Sequence, residues 1–353
     1  MAVAVAAVVA LVGIADGFER SFTSLFEGQN TDIVVSRARS ADRMTSELDE
    51  SLRPKIAAVS GVETVEPVLY DTVALAELPT VPVVLQGMSP DNQSLRKQRV
   101  ISGVSLKNGD HRKVMLGQML ATNLDKKTGD TIEIYEGEPC EIVGIYNRDN
   151  SFENGAIILP LAELQRMLGQ EGLVNMFNVT VAHPTSEAGI QTVVNELNNL
   201  HLGISAMGMH QYVATDTKIQ VAKAMAWSTS AIALVIGAIG MLNTMVVSVF
   251  ERTAEIGVLR AIGWRRSRIF RMILLESGIL CVAGAVFGTL LALLMTFALS
   301  RAPATNGLIS SEVAPLVILQ GFLIAMLIGI CGAIYPAIRA TRLLPTVALR
   351  HEG

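Results

Sequence analysis

Charge is what this sequence has least of. Asp, Glu, Lys and Arg make up 17% of its 353 residues, against about a quarter in soluble globular chains. The deficit is local. From residue 224 onward there is no Lys, only ten Arg and five Glu, a net of +5, whereas residues 1–223 hold 18 basic and 27 acidic residues, a net of −9. The first stretch reads as a water-soluble acidic body and the second as a membrane part. Cysteine is scarce too, at three. Cys281 and Cys331 lie in apolar runs and Cys140 stands alone in the polar body, which excludes a disulfide-stapled miniprotein. Cys140 is expected to be a small buried side chain. Half of the residues are hydrophobic, which excludes a disordered chain. The acidic body argues against nucleic acid as a partner.

Catalytic signatures are missing as well. His111, His183, His201, His210 and His351 show no metal-ligand spacing, and neither a GxSxG elbow nor a GxxxxGK[ST] phosphate loop occurs. The carboxylates are scattered, as on a solvated acidic face. Asn92-Gln-Ser and Asn178-Val-Thr match the glycosylation pattern, which is too short to weigh. No catalytic residue, metal site or bound cofactor is expected of this chain, and a membrane-anchored enzyme is a poor fit.

Long hydrophobic runs are present. Twenty-seven uncharged residues separate Lys223 from Glu251, 24 run from Ser277 to Ser300, and 26 from Val313 to Ile338. A spanning helix needs about 20. Ala2–Ala15 is shorter, at 14 residues. It suits either a signal-peptide core or the outer portion of a first transmembrane helix whose beginning is missing from this sequence. No basic segment precedes it and no small-residue cleavage site follows, so the helix is preferred, continuing through Phe18, Phe22, Leu25 and Phe26. Arg252, Arg260, Arg265, Arg266, Arg268 and Arg271 cluster between the second and third spans, and Arg339, Arg342 and Arg350 follow the fourth. Basic residues near span ends face the cytoplasm, which places the acidic body outside. The three long spans have no Asp, Lys, Arg or His at mid-depth, and Glu276 lies close enough to the interface to reach water or an Arg. That argues against an ion-coupled pump. Small residues recur instead at intervals of four: Gly284, Gly288 and Ala292 on the third span; Gly321, Ala325, Gly329, Ala333 and Ala337 on the fourth; and, more weakly, Ala233, Gly237 and Met241 on the second. Such rows let helix backbones approach in lipid, within the chain or in a dimer.

In the body, apolar spacing predicts a helix over 42–59, interrupted by Pro54. Strands are predicted over 62–75 and 81–87, with Pro79 and Pro82 marking the turn between them. Further strands are expected at 113–117, 131–135, 141–146, 156–159 and 178–182, and helices at 118–124, from Pro160 to Leu168, and 184–200. The sum is an α+β domain.

The most informative segment is Glu251–Glu276. Its acidic start, interleaved Arg, apolar Ile256, Leu259 and Ile262, and Gly257 and Gly263 suit a short amphipathic helix that docks in a partner's groove, with Gly263 at a tight turn. A solvated positive loop would need neither the apolar set nor the glycines. The run ERTAEIGVLRAIG with Arg268-Ile269 and Glu276 strongly resembles the FtsX-like, MacB-type permeases of ABC transporters, a group that includes the LolC/LolE lipoprotein-releasing subunits. Tyr335-Pro336-Ala337, Arg339-Ala340, Arg342, Pro345 and Ala348-Leu349-Arg350 resemble its closing motif. Val62–Pro67, Gln86-Gly87-Met88, Leu116-Gly117, Gly129-Asp130 and Ile142–Ile145 resemble its periplasmic core domain. The start departs, since the family has a cytoplasmic lead-in and a full first helix.

The resemblance implies a four-helix transmembrane permease, here with its first helix truncated, and a large α+β extracytoplasmic domain inserted between the first and second spans. It divides the chain into residues 1–26 (outer first span and stalk), 27–220 (periplasmic core), 221–250 (stalk and second span) and 251–271 (coupling segment). Residues 272–300 (third span), 301–312 (external loop), 313–338 (fourth span) and 339–353 (cytoplasmic tail) follow. It implies the bacterial inner membrane, half of a homodimer or related heterodimer, and a separate ABC ATPase subunit that binds ATP and Mg. A periplasmic adaptor is a further expected partner, alongside membrane lipid. ATPase docking falls to Glu251, Arg252, Glu255, Ile256, Gly257, Leu259, Arg260, Ala261 and Gly263, and helix packing to Gly284, Gly288, Ala292, Gly321, Ala325, Gly329 and Ala333. Two functions fit: mechanotransmission that exports or extracts a lipophilic substrate, lipoprotein or peptide, and non-transporting signalling to periplasmic cell-wall hydrolases. The roughly 190-residue body is nearer the exporter type. Glu255→Lys combined with Arg260→Glu should uncouple ATP hydrolysis while leaving the body folded; wild-type ATPase activity in that double variant would count against the docking assignment.

Overall fold

The computed structural model describes residues 1–39, 46–92, 94–95, 98–148, 151–182, 186–300 and 313–342. They fall into two compact units, one of the described residues within 18–220 with 299–300, the other of residues 1–17, 221–298 and 313–342. The strands are β1 (Ile33–Arg37), β2 (Leu48–Asp49), β3 (Val62–Leu75), β4 (Leu78–Met88), β5 (Arg99–Gly103), β6 (Lys113–Gly117), β7 (Thr131–Tyr135), β8 (Glu138–Asn147), β9 (Ile157–Pro160), β10 (Leu173–Val174), β11 (Met176–Val181) and β12 (Ile204–Gly208). The helices are α1 (Ala2–Gly28), α2 (Arg53–Ala57), α3 (Gln118–Asn123), α4 (Ser151–Asn154), α5 (Leu161–Leu168), α6 (Glu187–Asn199), α7 (Met209–Ala214), α8 (Thr217–Glu251), α9 (Thr253–Ala261), α10 (Arg266–Ser300) and α11 (Pro315–Thr341).

In the body, ten strands form one sheet in the order β12-β1-β11-β3-β4-β9-β6-β8-β5, with β7 also bonded to β8. The ladders are antiparallel except for β4–β9 and β6–β8. Strand side chains alternate between faces, so Val35, Leu116 and Ile157 enter one core while Val34, Met115 and Ile158 enter the other. Ile56, Leu164, Val194 and Leu197 of α2, α5 and α6 cover the first face. Phe22, Leu25 and Phe26 of α1 join Tyr212 and Val213 of α7 on the second. There Phe22 meets Phe152 edge-on at 5.5 Å between ring centroids, and Phe26 meets Tyr212 at 5.6 Å. Cys140 is buried beneath the sheet.

Three local expectations are corrected. The helix expected over 42–59 is a strand, a 3-10 turn at Glu50–Leu52 and the short α2, with residues 42–45 outside those described. Asp49 starts the turn by accepting the Ser51 N–H at 2.8 Å. Pro54 falls in the first turn of α2, where its missing N–H costs nothing. Pro79 and Pro82 belong to β4 rather than to the turn, which is Ala76-Glu77 between the paired Leu75 and Leu78. This half of β4 is an edge, because β9 joins only from Leu85 onward, and an edge tolerates proline. The helix expected from Pro184 begins at Glu187, with Pro184 outside the described residues.

In the other unit, α1, α8, α10 and α11 are 27, 35, 35 and 27 residues long with peak hydropathies of 2.0 to 2.5, enough to cross a membrane. The outer portion of α1 continues as one helix to Gly28. α1 is also the most enclosed, half of its apolar window being buried against 17 to 33% in the others. The small residues account for that enclosure. A Cβ on Gly288 would lie 2.5 Å from the Ala2 carbonyl oxygen and 2.8 Å from Val5 Cβ, and one on Gly321 2.6 Å from Val9 Cγ2. Gly284 faces Met1, and Gly329 abuts the Cys281 thiol. Ala292 and Ala325 close the same cluster around Val5 and Val9, and Ala333 packs with Met241 and Cys281. Lipid removes the hydrophobic drive between helices, so close backbone approach must supply the contact energy. Gly288→Leu should therefore destabilise the bundle by about 1–3 kcal/mol, the usual cost of overpacking. Gly240→Leu, at a position with open space around it, should leave the thermal midpoint of the detergent-solubilised protein unchanged. Equal midpoints for the two variants would contradict this packing.

Candidate coupling site

The segment after α8 folds as a helix and a turn. Glu251 ends α8, Arg252 precedes α9, and Thr253 Oγ1 donates to the Val249 carbonyl at 3.0 Å. The chain then reverses at Gly263, whose φ of +95° suits glycine. Gly263 N–H donates to Arg260 O at 3.1 Å and Trp264 N–H to Leu259 O at 3.0 Å, satisfying carbonyls that the helix end leaves over. α10 starts three residues later, at Arg266.

The residues predicted for docking do not all face one way. Ile256 is buried among Ile269, Ile273, Ala337 and Ala340, and Gly257 is buried beside it. Ile256 packs α9 against the bundle within this chain. Leu259 and Arg260 are half-buried, and Arg260 Nη1 donates to the Trp264 carbonyl at 3.3 Å. Glu251, Arg252, Glu255, Ala261 and Gly263 are exposed. Between them lie two apolar side chains that the docking set omitted, Val258 at 47% and Ile262 at 70% exposure. Their separation of four residues puts them on one face. Spacing alone marked Ile262 but could not say that Ile256 turns inward. Arg252 pairs with Glu276 at 3.1 Å, tying the start of the segment to α10, so Glu276 does reach an Arg. Arg268 lies over the Trp264 ring and Arg339 over the Phe250 ring, at 5.9 and 5.3 Å. Pro345, Ala348, Leu349 and Arg350 of the closing motif, and the expected loop 301–312, lie outside the described residues.

The body carries a second polar feature that scattered carboxylates concealed. Just past α1, Gln29 accepts from Asn178 Nδ2 at 2.6 Å and donates to the Tyr70 hydroxyl at 3.2 Å. Arg148 Nη1 meets Glu153 Oε1 at 2.5 Å with both side chains under a tenth exposed, and Arg148 Nη2 donates to Ser94 O at 3.2 Å. Burial pushes the Glu153 carboxyl up to about 7 against the opposing pull of Arg148 and Gln29. Asn92 and Asn178, the glycosylation matches, are both buried, Asn92 accepting from the Ser94 N–H at 2.8 Å. Among the described residues, no three His, Cys, Asp or Glu converge to hold a metal.

Two family models match. Residues 1–200, more than half of the chain, match the MacB-like periplasmic core domain, and residues 227–345 match the FtsX-like permease C-terminal region. The chain is an FtsX/MacB-type ABC transporter permease. A Bacillus subtilis relative, the uncharacterized ABC transporter permease YknZ, is 24% identical over 99% of this chain and 93% of its own length. The macrolide export ATP-binding/permease protein MacB of Vibrio parahaemolyticus is 33% identical over 61% of this chain. That match takes in 34% of the MacB chain, and a MacB of Bdellovibrio bacteriovorus that aligns with 99% of this chain is matched over 58% of its own length. The periplasmic region of MacB from Actinobacillus actinomycetemcomitans aligns at a TM-score of 0.41 and 12% identity, covering 52% of this chain and 92% of that one. An ABC permease implies an ATPase partner.

The Arg148–Glu153 pair should matter to the permease's stability. Arg148→Met leaves a buried carboxylate without its counter-charge, a loss of about 3–5 kcal/mol. A raised folded-state value means that the folded chain holds this proton more tightly than the unfolded one. The Glu153 contribution is thus full below the ordinary carboxylate range and lost as pH rises through about 7. Relative to wild type, Glu153→Gln should gain stability between pH 5 and pH 8 in thermal unfolding; a constant difference would contradict this.

Proposed function

We propose that this permease transmits the ATP-driven motion of its ATPase partner to the extracytoplasmic body, and that the body exports or extracts a lipophilic substrate, lipoprotein or peptide. One observation carries the reading: α1 and α8 are unbroken helices with residues in both units. In α1, Val5 and Val9 pack in the bundle while Phe22 and Phe26 pack in the body. Each helix thus has residues in both units. The face of α9 formed by Glu255, Val258 and Ile262 is where the ATPase would grip. It is exposed and apolar with an acidic edge, while Ile256 and the Arg252–Glu276 pair fix the helix to the bundle behind it. The uncharged interior of the three long spans supports a cargo handled outside the membrane and not through a polar pore. Nothing specific favours control of cell-wall hydrolases.

Val258→Asp with Ile262→Asp leaves the buried anchor intact and removes the exposed apolar face. It should weaken ATPase co-purification and coupled ATP hydrolysis at least tenfold, the scale of central interface residues, with unfolding of the permease itself unchanged. Full co-purification with wild-type hydrolysis would sink the assignment.

A further inference from the structure

A groove of about 750 Å³ runs along the outside of α10 and α11, lined by Arg271, Leu275, Gly278, Ile279 and Val282 of α10 and by Met326 of α11, among others. Arg271 is its one charged residue. From Arg271 to Ala283, the last α10 residue lining it, a helix rises roughly 18 Å at 1.5 Å per residue. Half of a bilayer's hydrocarbon core is about 15 Å. The groove thus spans about one leaflet, with its charged end next to the Arg-rich segment that faces the cytoplasm.

Arg271 is exposed and has no hydrogen bond or ion pair with another described residue. Four other Arg are engaged, Arg252 with Glu276, Arg260 with the Trp264 carbonyl, and Arg268 and Arg339 with aromatic rings; Arg265 and Arg266 are exposed like Arg271 but do not line the groove. The small-residue rows that another helix would need for close approach are used inside the chain, Gly284 and Gly288 on α1 and Gly329 on Cys281. What fits is a group with one anionic head at the membrane surface and an apolar tail one leaflet long.

We propose that this groove binds an anionic phospholipid of the cytoplasmic leaflet, its phosphate on the Arg271 guanidinium and one acyl chain along Leu275, Ile279 and Val282. A guanidinium fork matches phosphate oxygens bidentately, and basic sites between helices on the cytoplasmic side suit acidic headgroups. The site does not depend on the transport reading, since lipid occupancy can be measured without turnover.

The full chain would be reconstituted in nanodiscs with spin-labelled phosphatidylglycerol or phosphatidylcholine, and the motionally restricted fraction compared. Wild type should prefer phosphatidylglycerol. Arg271→Gln should lower that preference roughly fivefold, the effect of one basic residue at an anionic surface, and Arg271→Lys should keep most of it. Gly278→Leu, which fills the groove beneath the head, should release both lipids. With Cys140, Cys281 and Cys331 replaced by Ala, a single cysteine placed by Ile279→Cys should be reached by a lipid-borne thiol reagent. Equal retention of the two lipids by wild type, an unchanged preference in Arg271→Gln, or an Ile279→Cys that cross-links to a second permease copy would each overturn the site.

Discussion

The first helix has to satisfy two solvents, and the rest of the structure is arranged around that requirement. Over Met1–Val12 it sits in lipid, where apolar side chains gain nothing by meeting each other and only close packing holds helices together. Gly284, Gly288 and Gly321 supply that closeness by presenting no side chain to Met1, Ala2, Val5 and Val9. Over Phe22–Phe26 it sits in a water-soluble core, where burying three large side chains against Phe152, Tyr212 and the sheet is strongly favourable. A polar network around Gln29, Arg148 and Glu153 then fixes the chain as it leaves the helix. Each grip answers the local medium.

The coupling segment follows the same logic on a smaller scale. α9 has nine residues, too few to be stable alone in water. Ile256 supplies the missing stability from the bundle, the Arg252–Glu276 pair fixes the start, and Gly263 sets the reversal. What remains outside is a narrow face whose apolar members, Val258 and Ile262, stay 47% and 70% exposed. Exposed apolar side chains beside exposed acids suit a groove in a partner.

Much of this was legible in the sequence. The spans followed from charge-free length, and the family from residues 251–276 and the closing motif. β7 was legible because its apolar residues alternate, and β6 because a short apolar run ends at Gly117. β1, β5 and β12 were not: Ile33–Val35 is a three-residue apolar run closed by Ser36 and Arg37, β5 has only Val100 and Ile101 as apolar members, and Ile204–Gly208 mixes Ser, Met and Gly without a β-branched run. The 42–59 segment misled because Leu48, Leu52, Ile56 and Val59 keep a helical spacing while Asp49 and Pro54 dictate two local turns. Arg148 and Glu153 are both visible in the sequence, but nothing there says that the fold buries them together. The inward turn of Ile256 likewise depends on Ile269, Ile273 and Ala337, which lie on other helices.

The central claim is that the outer face of α9 is what the ATPase holds during its cycle. The most direct test places a photo-cross-linker at position 262 in the complete transporter and follows adduct formation with and without ATP. The account predicts adducts to the ATPase whose yield changes with nucleotide. Adducts to lipid alone, or labelling of that position from the external side of the membrane, would contradict it.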